Sequence, residues 1–371
     1  MPDFVVIGGG IAGAAAAAHL APHGAVTLLE MEATLAYHTT GRSAALFAVN
    51  YGGEASRPLA RASQAFLEEP PDGSADSVLL SERGVLWVAD HHQLGHLEKI
   101  ATEGEASDAG SVLIGPAEAL DLVPILNPDH LAAALWEPGA CDLDVAALHQ
   151  AFIRIARRNK AEIHTSAPVT ALSRLSGGWR VATPNSAIDC EAVVNASGAW
   201  GDQVASLAGV EPIGLQPMRR TAFMVPGDEA YSAWPMVTEV DHGYYFRPDG
   251  TQLLCSLAEE SPSPPEDPRP RMEDVALAIE RINNATRLEI RTVNSQWTGL
   301  RTFAPDRELV IGEEPTASGF FWLVGQGGTG IATSPAYGAL IASQVLGVDL
   351  PPNLETSGVD PTKTFPTRFR I

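Results

Sequence analysis

Cysteine is scarce in this chain, which has only Cys141, Cys190 and Cys255 among its 371 residues. The three lie far apart and never form a C-x-x-C pair, which argues against a disulfide framework and against zinc or iron–sulfur sites. The sequence also lacks H-E-x-x-H and G-x-S-x-G, the patterns of zinc peptidases and of serine hydrolases. We therefore expect no metal site, and free thiols in a reducing compartment.

Positive charge and long apolar runs are scarce as well. The chain has 24 Lys and Arg against 45 Asp and Glu, a formal net charge of -21. This charge repels nucleic-acid phosphates and anionic lipids, so we expect neither nucleic acid nor a membrane surface as a partner. No apolar run reaches the roughly 18 residues of a membrane span. Asp3 comes at once, with no basic leader before it, so we expect a cytoplasmic protein.

The first thirty residues predict a strand, a glycine turn, a helix and a second strand. Gly8, Gly10 and Gly13 form G-x-G-x-x-G after an apolar run, and Glu30 ends the next apolar run. Such glycines permit a tight turn, close approach of a pyrophosphate and close helix–strand packing. The helix N-terminus attracts phosphate, and an acid at Glu30 accepts hydrogen bonds from ribose hydroxyls. The segment predicts dinucleotide binding.

A second glycine turn lies near the C-terminus, between an aromatic strand and a helix. It contains Gly325, Gly327, Gly328 and Gly330, and Pro335 follows in the first turn of the helix. A second helix N-terminus can face another part of a large cofactor. Because reduced flavin gains negative charge at its N1–C2=O edge, this favours a flavin. The alternative is a turn that only packs against the sheet.

Between these turns the pattern is mixed. An amphipathic helix is predicted within DLDVAALHQAFIRIARRN, and alternating strands run from Leu215 to about Arg301. The proline-rich segment Ser261 to Pro270 interrupts these strands, and we expect it to be an exposed connection.

Five segments in order along the chain, GGGIAG, TGRSAA, VVNASGAW, GLRTF and GQGGTGIATSP, together resemble the D-amino-acid oxidase family of flavoproteins. The runs HTTGRSAALFAVNYG, LQPMRRTAF and QWTGLRTF are most similar to its bacterial D-arginine and D-amino-acid dehydrogenase branch. The resemblance implies a mixed α/β and α+β fold with two interleaved domains. A glutathione-reductase-type, Rossmann-like FAD domain would comprise residues 1–50, 140–215 and 302–371. An antiparallel-sheet substrate domain would comprise residues 51–139 and 216–301.

The resemblance also implies bound FAD, held without a covalent bond because no cysteine lies in the segments expected near the flavin. Besides the first glycine turn, the residues implied in binding it are Ala12, Glu30, Met31, Thr39, Thr40, Gly41, Arg42, Ser43, Ala44, Ala45, Leu46, Val169, Gly327, Gly328, Thr329, Gly330, Ile331 and Ala332.

An amino-acid substrate needs a cation for its carboxylate and an acceptor for its amine. Arg301 is our first choice for the carboxylate because arginine binds it bidentately, and Arg220 would be a second clamp. By the resemblance, Tyr51 and Tyr245 would flank the substrate, and the carbonyl of Gly328 would accept from its amine. Each arginine has a surface ion pair as its alternative, and each tyrosine a core or rim position.

Alternating strand faces allow only one of two neighbouring residues to point inward. Arg219 would therefore take the inward position if Arg220 did not, and Tyr244 would take it if Tyr245 did not.

Arginine-preferring relatives differ from this chain at three positions of the pocket. Where they carry glutamate, histidine and threonine, this chain has Val85, Leu46 and Ala48. Such a pocket predicts a neutral or apolar substrate side chain, unless Glu82 replaces the lost acid.

The expected reaction is oxidative deamination of a D-amino acid by hydride transfer from its α-carbon to flavin N5. The imino acid would hydrolyse to a 2-oxo acid and ammonia, and oxygen or a quinone would reoxidise the flavin. The main alternative is a secondary-amine oxidase acting on sarcosine, glycine or proline. An NAD-dependent dehydrogenase or a non-catalytic flavin-binding module would also be compatible with the first glycine turn.

Overall fold

A computed structural model describes residues 2–49, 51–105 and 110–370. Its helices, in chain order, are α1 (Ile11–Leu20), α2 (Ser56–Glu68), α3 (Leu94–Glu105), α4 (Pro116–Leu122), α5 (Val145–Arg158), α6 (Gly201–Leu207), α7 (Met272–Ala285), α8 (Ser334–Leu346) and α9 (Pro352–Thr356). Its strands are β1 (Phe4–Ile7), β2 (Val26–Leu29), β3 (Leu46–Phe47), β4 (Leu80–Glu82), β5 (Val85–Ala89), β6 (Val112–Ile114), β7 (Ala133–Glu137), β8 (Cys141–Leu143), β9 (Glu162–His164), β10 (Ala171–Leu175), β11 (Gly178–Ala182), β12 (Ala187–Cys190), β13 (Ala192–Asn195), β14 (Gln216–Pro226), β15 (Met236–Glu239), β16 (Tyr245–Asp249), β17 (Gln252–Ser256), β18 (Ser261–Pro262), β19 (Ser295–Phe303), β20 (Val310–Glu313) and β21 (Phe320–Val324).

Both predicted glycine turns follow strands of one six-stranded sheet. Its order is β20-β21-β13-β1-β2-β9, parallel except for the edge strand β20. Strands β1, β2 and β13 are buried along their whole length, which explains why they are continuous apolar runs. Helix α1 packs between α5 and α8, and its row of buried alanines permits this close contact on both sides.

A larger, mostly antiparallel sheet contains the predicted substrate residues. Its order is β18-β14-β17-β16-β15-β5-β7-β6, with β19 also paired to β14. On one face, Phe223 and Phe246 are in the core that includes buried residues of α4 and α7. Because side chains alternate along a strand, Arg220, Ala222 and Tyr245 lie on the opposite face.

The two sheets follow the sequence ranges that the resemblance implied. All strands of the parallel sheet fall within 1–50, 140–215 and 302–371. The larger sheet draws on 51–139 and 216–301, and only the end of β19, Thr302 and Phe303, lies beyond the second range. We propose the first set as the cofactor domain and the second as the substrate domain. The small sheet β3-β8-β4 joins strands from both ranges, and β10-β11-β12 forms a separate meander. Within the described residues, no helix combines the length and hydropathy needed to cross a bilayer.

Gly13 tests how tightly α1 lies on the parallel sheet. A Cβ at Gly13 would collide with the carbonyl oxygen of Gly8 and reach Val6 Cγ1 at 3.3 Å. We expect Gly13→Ala to lower the free energy of unfolding of the cofactor-free protein by about 1–3 kcal/mol, as overpacking does. Urea denaturation measures this change.

Gly95→Ala is the matched control, because a Cβ on Gly95 of α3 meets no atom within 4 Å. We expect it to leave stability unchanged or to raise it by up to about 1 kcal/mol. Equal effects of both substitutions would contradict the close packing of α1.

Candidate cofactor and substrate site

A long cavity lies between the carboxyl edge of the parallel sheet and one face of the larger sheet. The empty volume of this cavity, which includes its opening to solvent, is about 1730 Å³. The first sheet contributes the segments that follow β1, β2 and β13, and the second contributes residues of β14, β16 and β19. Carboxyl ends of parallel strands are the usual place for a nucleotide.

At one end of the cavity, α1 points its N-terminus inward. No side chain caps the helix at Gly10, and Ile11 N–H donates to Thr40 Oγ1 at 3.0 Å. The buried Glu30 carboxylate accepts from Gly9 N–H at 2.6 Å and from Glu32 N–H at 2.8 Å. Glu30 is thereby held at the cavity wall, where an acid can accept from a ribose.

His149 of α5 supports this turn from behind. Its Nε2 donates to the carbonyl of Gly9 at 3.0 Å. Burial lowers the pKa of His149, so at neutral pH the imidazole is a neutral donor that adds no charge beside the turn. No local sequence signal indicates this contact, because His149 lies on an ordinary amphipathic helix.

In the middle of the cavity, the turn at residues 39–42 is bound to β19. Thr39 Oγ1 donates to the carbonyl of Leu300 at 2.7 Å, and Arg42 Nη1 donates to that of Thr298 at 3.0 Å. Trp297 Nε1 donates in turn to the carbonyl of Arg42 at 2.9 Å. The turn that lines the cavity is thus anchored on the larger sheet.

The proline-rich segment 261–270 is largely exposed, as its composition predicts, but it also contacts residues at the cavity. Its Asp267 lies 2.6 Å from Arg42 Nη2 and accepts from Tyr37 Oη at 3.4 Å. Its Glu266 lies 3.5 Å from Nη1 of the buried Arg219, which also donates to the carbonyl of Arg269. Since Arg42 and Tyr37 line the cavity, we call this segment the clasp.

At the other end of the cavity, the second glycine turn meets the predicted substrate residues. A Cβ on Gly328 would lie 2.7 Å from Tyr51 Oη and 3.0 Å from Arg301 Nη1. Gly327, with φ of +52°, adopts the left-handed region that glycine favours. Helix α8 follows with a proline in its first turn, as the sequence predicts.

Arg301 and Arg220 lie on the same face of the larger sheet. In the β14–β19 register Arg220 is opposite Gly299, two residues before Arg301. Arg301 Nη1 donates to Tyr51 Oη at 3.2 Å. Arg220 Nε donates to the carbonyl of Glu259 at 2.9 Å, and its Nη2 lies 3.4 Å from Glu260 Oε1. Both arginines line the cavity together with Tyr245.

The neighbouring residues Arg219 and Tyr244 face away from the cavity. Arg219 binds the clasp, and Tyr244 packs with Phe246 in the core under α7. The alternation of strand faces therefore places Arg220 and Tyr245 on the cavity side.

The positive charge of Arg301 contributes to the pKa shifts of Tyr51 and Arg220, its neighbours in the site. The Arg301 guanidinium holds the pKa of the Tyr51 phenol below its usual range. Burial, followed by repulsion from Arg301, lowers the pKa of Arg220. A carboxylate placed here would relieve the repulsion between the two guanidinium groups.

The cavity is lined by most of the predicted cofactor residues. They are Gly8, Gly10, Ala12, Glu30, Met31, Thr39, Thr40, Arg42, Ser43, Ala44, Val169, Gly327, Gly328, Gly330 and Ile331. Gly13, Gly41, Ala45, Leu46 and Ala332, all among the described residues, do not line it, and Thr329 lines a second cavity instead.

The residues predicted to line the side-chain pocket belong to a small packed cluster instead. Ala48 and Val85 are buried in a cluster with Ala140, against which Leu46 and Trp87 pack. None of the three predicted pocket residues, all within the described ranges, lines either cavity. Trp87 lines the second cavity, so it stands between that cavity and the cluster.

Several lining residues were not predicted. Ser197, Gly198 and Trp200 follow β13 in the motif VVNASGAW. A sequence signal for them exists, because β13 is a buried apolar strand whose carboxyl end lies beside that of β1. Gln326, which lines both cavities, lies inside the predicted second glycine turn, whereas His242 lines the second cavity without any local sequence signal. Within the part of the chain that the structure describes, no group of three or more His, Cys, Asp or Glu is arranged to hold a metal ion.

The parallel sheet, the N-terminus of α1 and the two glycine turns that line one cavity are typical of a dinucleotide-binding protein. A family model described as FAD dependent oxidoreductase (DAO) matches residues 3–344, and the chain belongs to this family. Its cofactor is FAD, and the elongated cavity, the phosphate-binding turn and the Glu30 carboxylate fit that molecule.

Two of the relatives are named for the amino compounds sarcosine and glycine. Human mitochondrial sarcosine dehydrogenase is 26% identical over 363 residues, covering 93% of this chain but 39% of that protein, so this chain spans well under half of it. Glycine oxidase of Geobacillus kaustophilus is 24% identical over 352 residues, covering 92% of each chain. These relatives do not support the D-arginine dehydrogenase branch specifically.

Solved structures confirm the fold. The glycine oxidase structure from Geobacillus kaustophilus has a TM-score of 0.87 at 23% identity and covers 99% of this chain and 98% of its own. L-proline dehydrogenase from P. horikoshii has a TM-score of 0.86 at 22% identity, with 99% and 97% covered.

The clasp predicts slower release of FAD than an open cavity would allow. We expect Asp267→Asn to speed FAD dissociation about two- to fivefold, the effect of a partly exposed ion pair worth up to about 1 kcal/mol. The return of flavin fluorescence after dilution measures it. The exposed Asp121→Asn in α4 is the control, and equal release rates in both variants would show that the clasp does not retain FAD.

Proposed function

We propose that the chain is an FAD-dependent amine oxidoreductase that oxidises the C–N bond of a small amino acid, with an N-substituted glycine favoured. One observation carries the proposal: the Arg301 guanidinium and the Tyr51 hydroxyl meet beside Gly328, at the flavin-side glycine turn. A carboxylate bound at Arg301 would place the adjoining carbon and nitrogen beside that turn.

The side chains have separate roles in this proposal. Arg301 binds the carboxylate, and Arg220 adds positive charge from the neighbouring strand. Tyr51, which is 37% exposed, covers the site from the solvent side, while the buried Tyr245 forms the opposite wall. The Gly328 carbonyl accepts a hydrogen bond from the amine.

Bound FAD supplies the two-electron acceptor for this oxidation. The chain holds the uncharged amine in position and limits the access of water, and it needs no acid or base beyond these contacts. The C–N bond of the substrate becomes C=N, and water then converts the released imine to a carbonyl compound and an amine. Oxygen or a quinone remains the proposed final acceptor.

The relatives favour a secondary amine over a D-amino acid. Their names specify sarcosine, glycine and L-proline, two of which are secondary amines. Oxidation of a D-amino acid with a neutral side chain is the second candidate. The guanidinium groups of Arg301 and Arg220, on the same face of the larger sheet, would bind its carboxylate in the same way.

A substrate panel tests the proposal. Under anaerobic conditions, sarcosine, N-ethylglycine and proline should bleach the flavin absorbance faster than D-alanine or D-valine, because the relatives act on small secondary amines. Stopped-flow absorbance gives the rates. Faster bleaching by the D-amino acids would favour the second candidate, and no bleaching by any of them would refute the proposed activity.

Arg301→Ala should weaken binding of the favoured amine by about 2–5 kcal/mol, because it removes the charged partner of the carboxylate. The substrate dependence of the bleaching rate measures this loss. Arg291→Ala, at an exposed arginine paired with Glu289, is the control and should leave binding unchanged. A wild-type dissociation constant in Arg301→Ala would remove Arg301 from the site.

A further inference from the structure

A second cavity adjoins the Arg301–Tyr51 site. Its empty space, including its open mouth, is about 1200 Å³, and it shares Gln326, Gly327 and Gly328 with the first cavity. Tyr51 also lines it, so it opens on the substrate side of the second glycine turn. A space of this size greatly exceeds what the N-methyl group of sarcosine requires.

The charged groups around this cavity have partners of their own. Arg307 Nη2 lies 3.0 and 2.8 Å from the two oxygens of Glu260, and its guanidinium stacks 3.9 Å from the centre of the Phe303 ring. His96 Nδ1 lies 2.6 Å from Asp241. Arg57 and Glu137 also have interaction partners. Glu308, the remaining acid of the lining, accepts backbone hydrogen bonds from Glu54 and Ala55. Because these charges have partners, the cavity does not call for a charged ligand. The rest of its lining combines a few polar groups with aromatic and aliphatic side chains, among them Trp87, Ile100, Leu135 and Leu309.

Trp87 and His242 form an aromatic wall. Their ring centroids are 5.6 Å apart at an interplanar angle of 74°, an edge-to-face contact. His242 lies between β15 and β16 with φ of +57°, a conformation that is uncommon for a residue with a side chain. Trp87 projects from β5 and packs against the Leu46–Ala48–Val85 cluster.

The wall carries no charge at neutral pH. Burial lowers the pKa of His242, and the guanidinium groups of Arg220 and Arg301 lower it further. Glu260 opposes this effect, and His96 adds to it. The neutral imidazole and the indole therefore offer flat aromatic surface to a ligand.

We propose that this second cavity binds an uncharged aromatic or branched aliphatic substituent of the substrate, and that Trp87 determines specificity for it. The inference rests on the proposed function, because the carboxylate at Arg301 sets where the substituent points. Leu46, Ala48 and Val85 act through Trp87, which they support from behind.

N-Benzylglycine and sarcosine test this subsite, since both carry the same carboxylate and a secondary amine. We expect the wild-type chain to favour N-benzylglycine in kcat/KM, measured in steady-state turnover with an artificial electron acceptor. Trp87→Ala should lower the ratio of kcat/KM for N-benzylglycine over sarcosine about tenfold, the discrimination that a few apolar groups provide. Trp87→Phe should restore part of it.

Ile100→Trp provides an independent test, because Ile100 of α3 lines the cavity and a larger side chain would fill it. It should lower the same ratio without removing the aromatic wall. Leu113→Ala, at an exposed residue of the edge strand β6, is the control for folding and should keep the wild-type ratio. Thermal unfolding identifies any variant that fails to fold.

The outcomes separate the two proposals. In the wild-type chain, sarcosine could react while kcat/KM is lower for N-benzylglycine than for sarcosine. This result would overturn the subsite and leave the proposed function standing. An unchanged ratio in both folded Trp87→Ala and Ile100→Trp would also overturn it. Failure of both amines to bleach the flavin would refute the proposed function itself.

Discussion

The uncapped N-terminus of α1 at the edge of the parallel sheet is the constraint on which the rest of this structure depends. Its first N–H groups have no partner within the helix, and among the described residues Thr40 supplies a side-chain acceptor for that of Ile11. The turn before it is held by Glu30 and His149, so its donors keep fixed positions. A phosphate group is the natural partner for such donors, and FAD supplies one.

The larger sheet completes the site because its strands pass over the same cavity. Strand β19 binds the turn at residues 39–42 through backbone carbonyls and presents Arg301 two residues after Gly299. The same strand thus anchors the cofactor-side turn and carries the proposed carboxylate ligand. In the proposed function, this single strand would couple the position of the cofactor to that of the substrate.

The parts of the structure that local sequence patterns describe were predictable. The βαβ unit and the second glycine turn are contiguous segments. The alternation of strand faces predicted that only one of Arg219 and Arg220 points inward, and in the structure this is Arg220. Contacts between distant segments were not predictable in the same way. The clasp joins Asp267 to Arg42, and nothing in its proline-rich composition specifies that partner. His242 likewise depends on a strand pairing that brings it to Trp87.

We propose that FAD and the site at Arg301, which would bind the substrate carboxylate, share one continuous space. Methoxyacetate resembles sarcosine but has no oxidisable amine. Titration of the purified chain with this anion, followed by the visible spectrum of the flavin, tests the claim. We expect bound FAD and a saturable change in its spectrum, caused by an anion bound beside the flavin. Bound FAD whose spectrum ignores the anion, or folded protein that takes up no FAD, would contradict it.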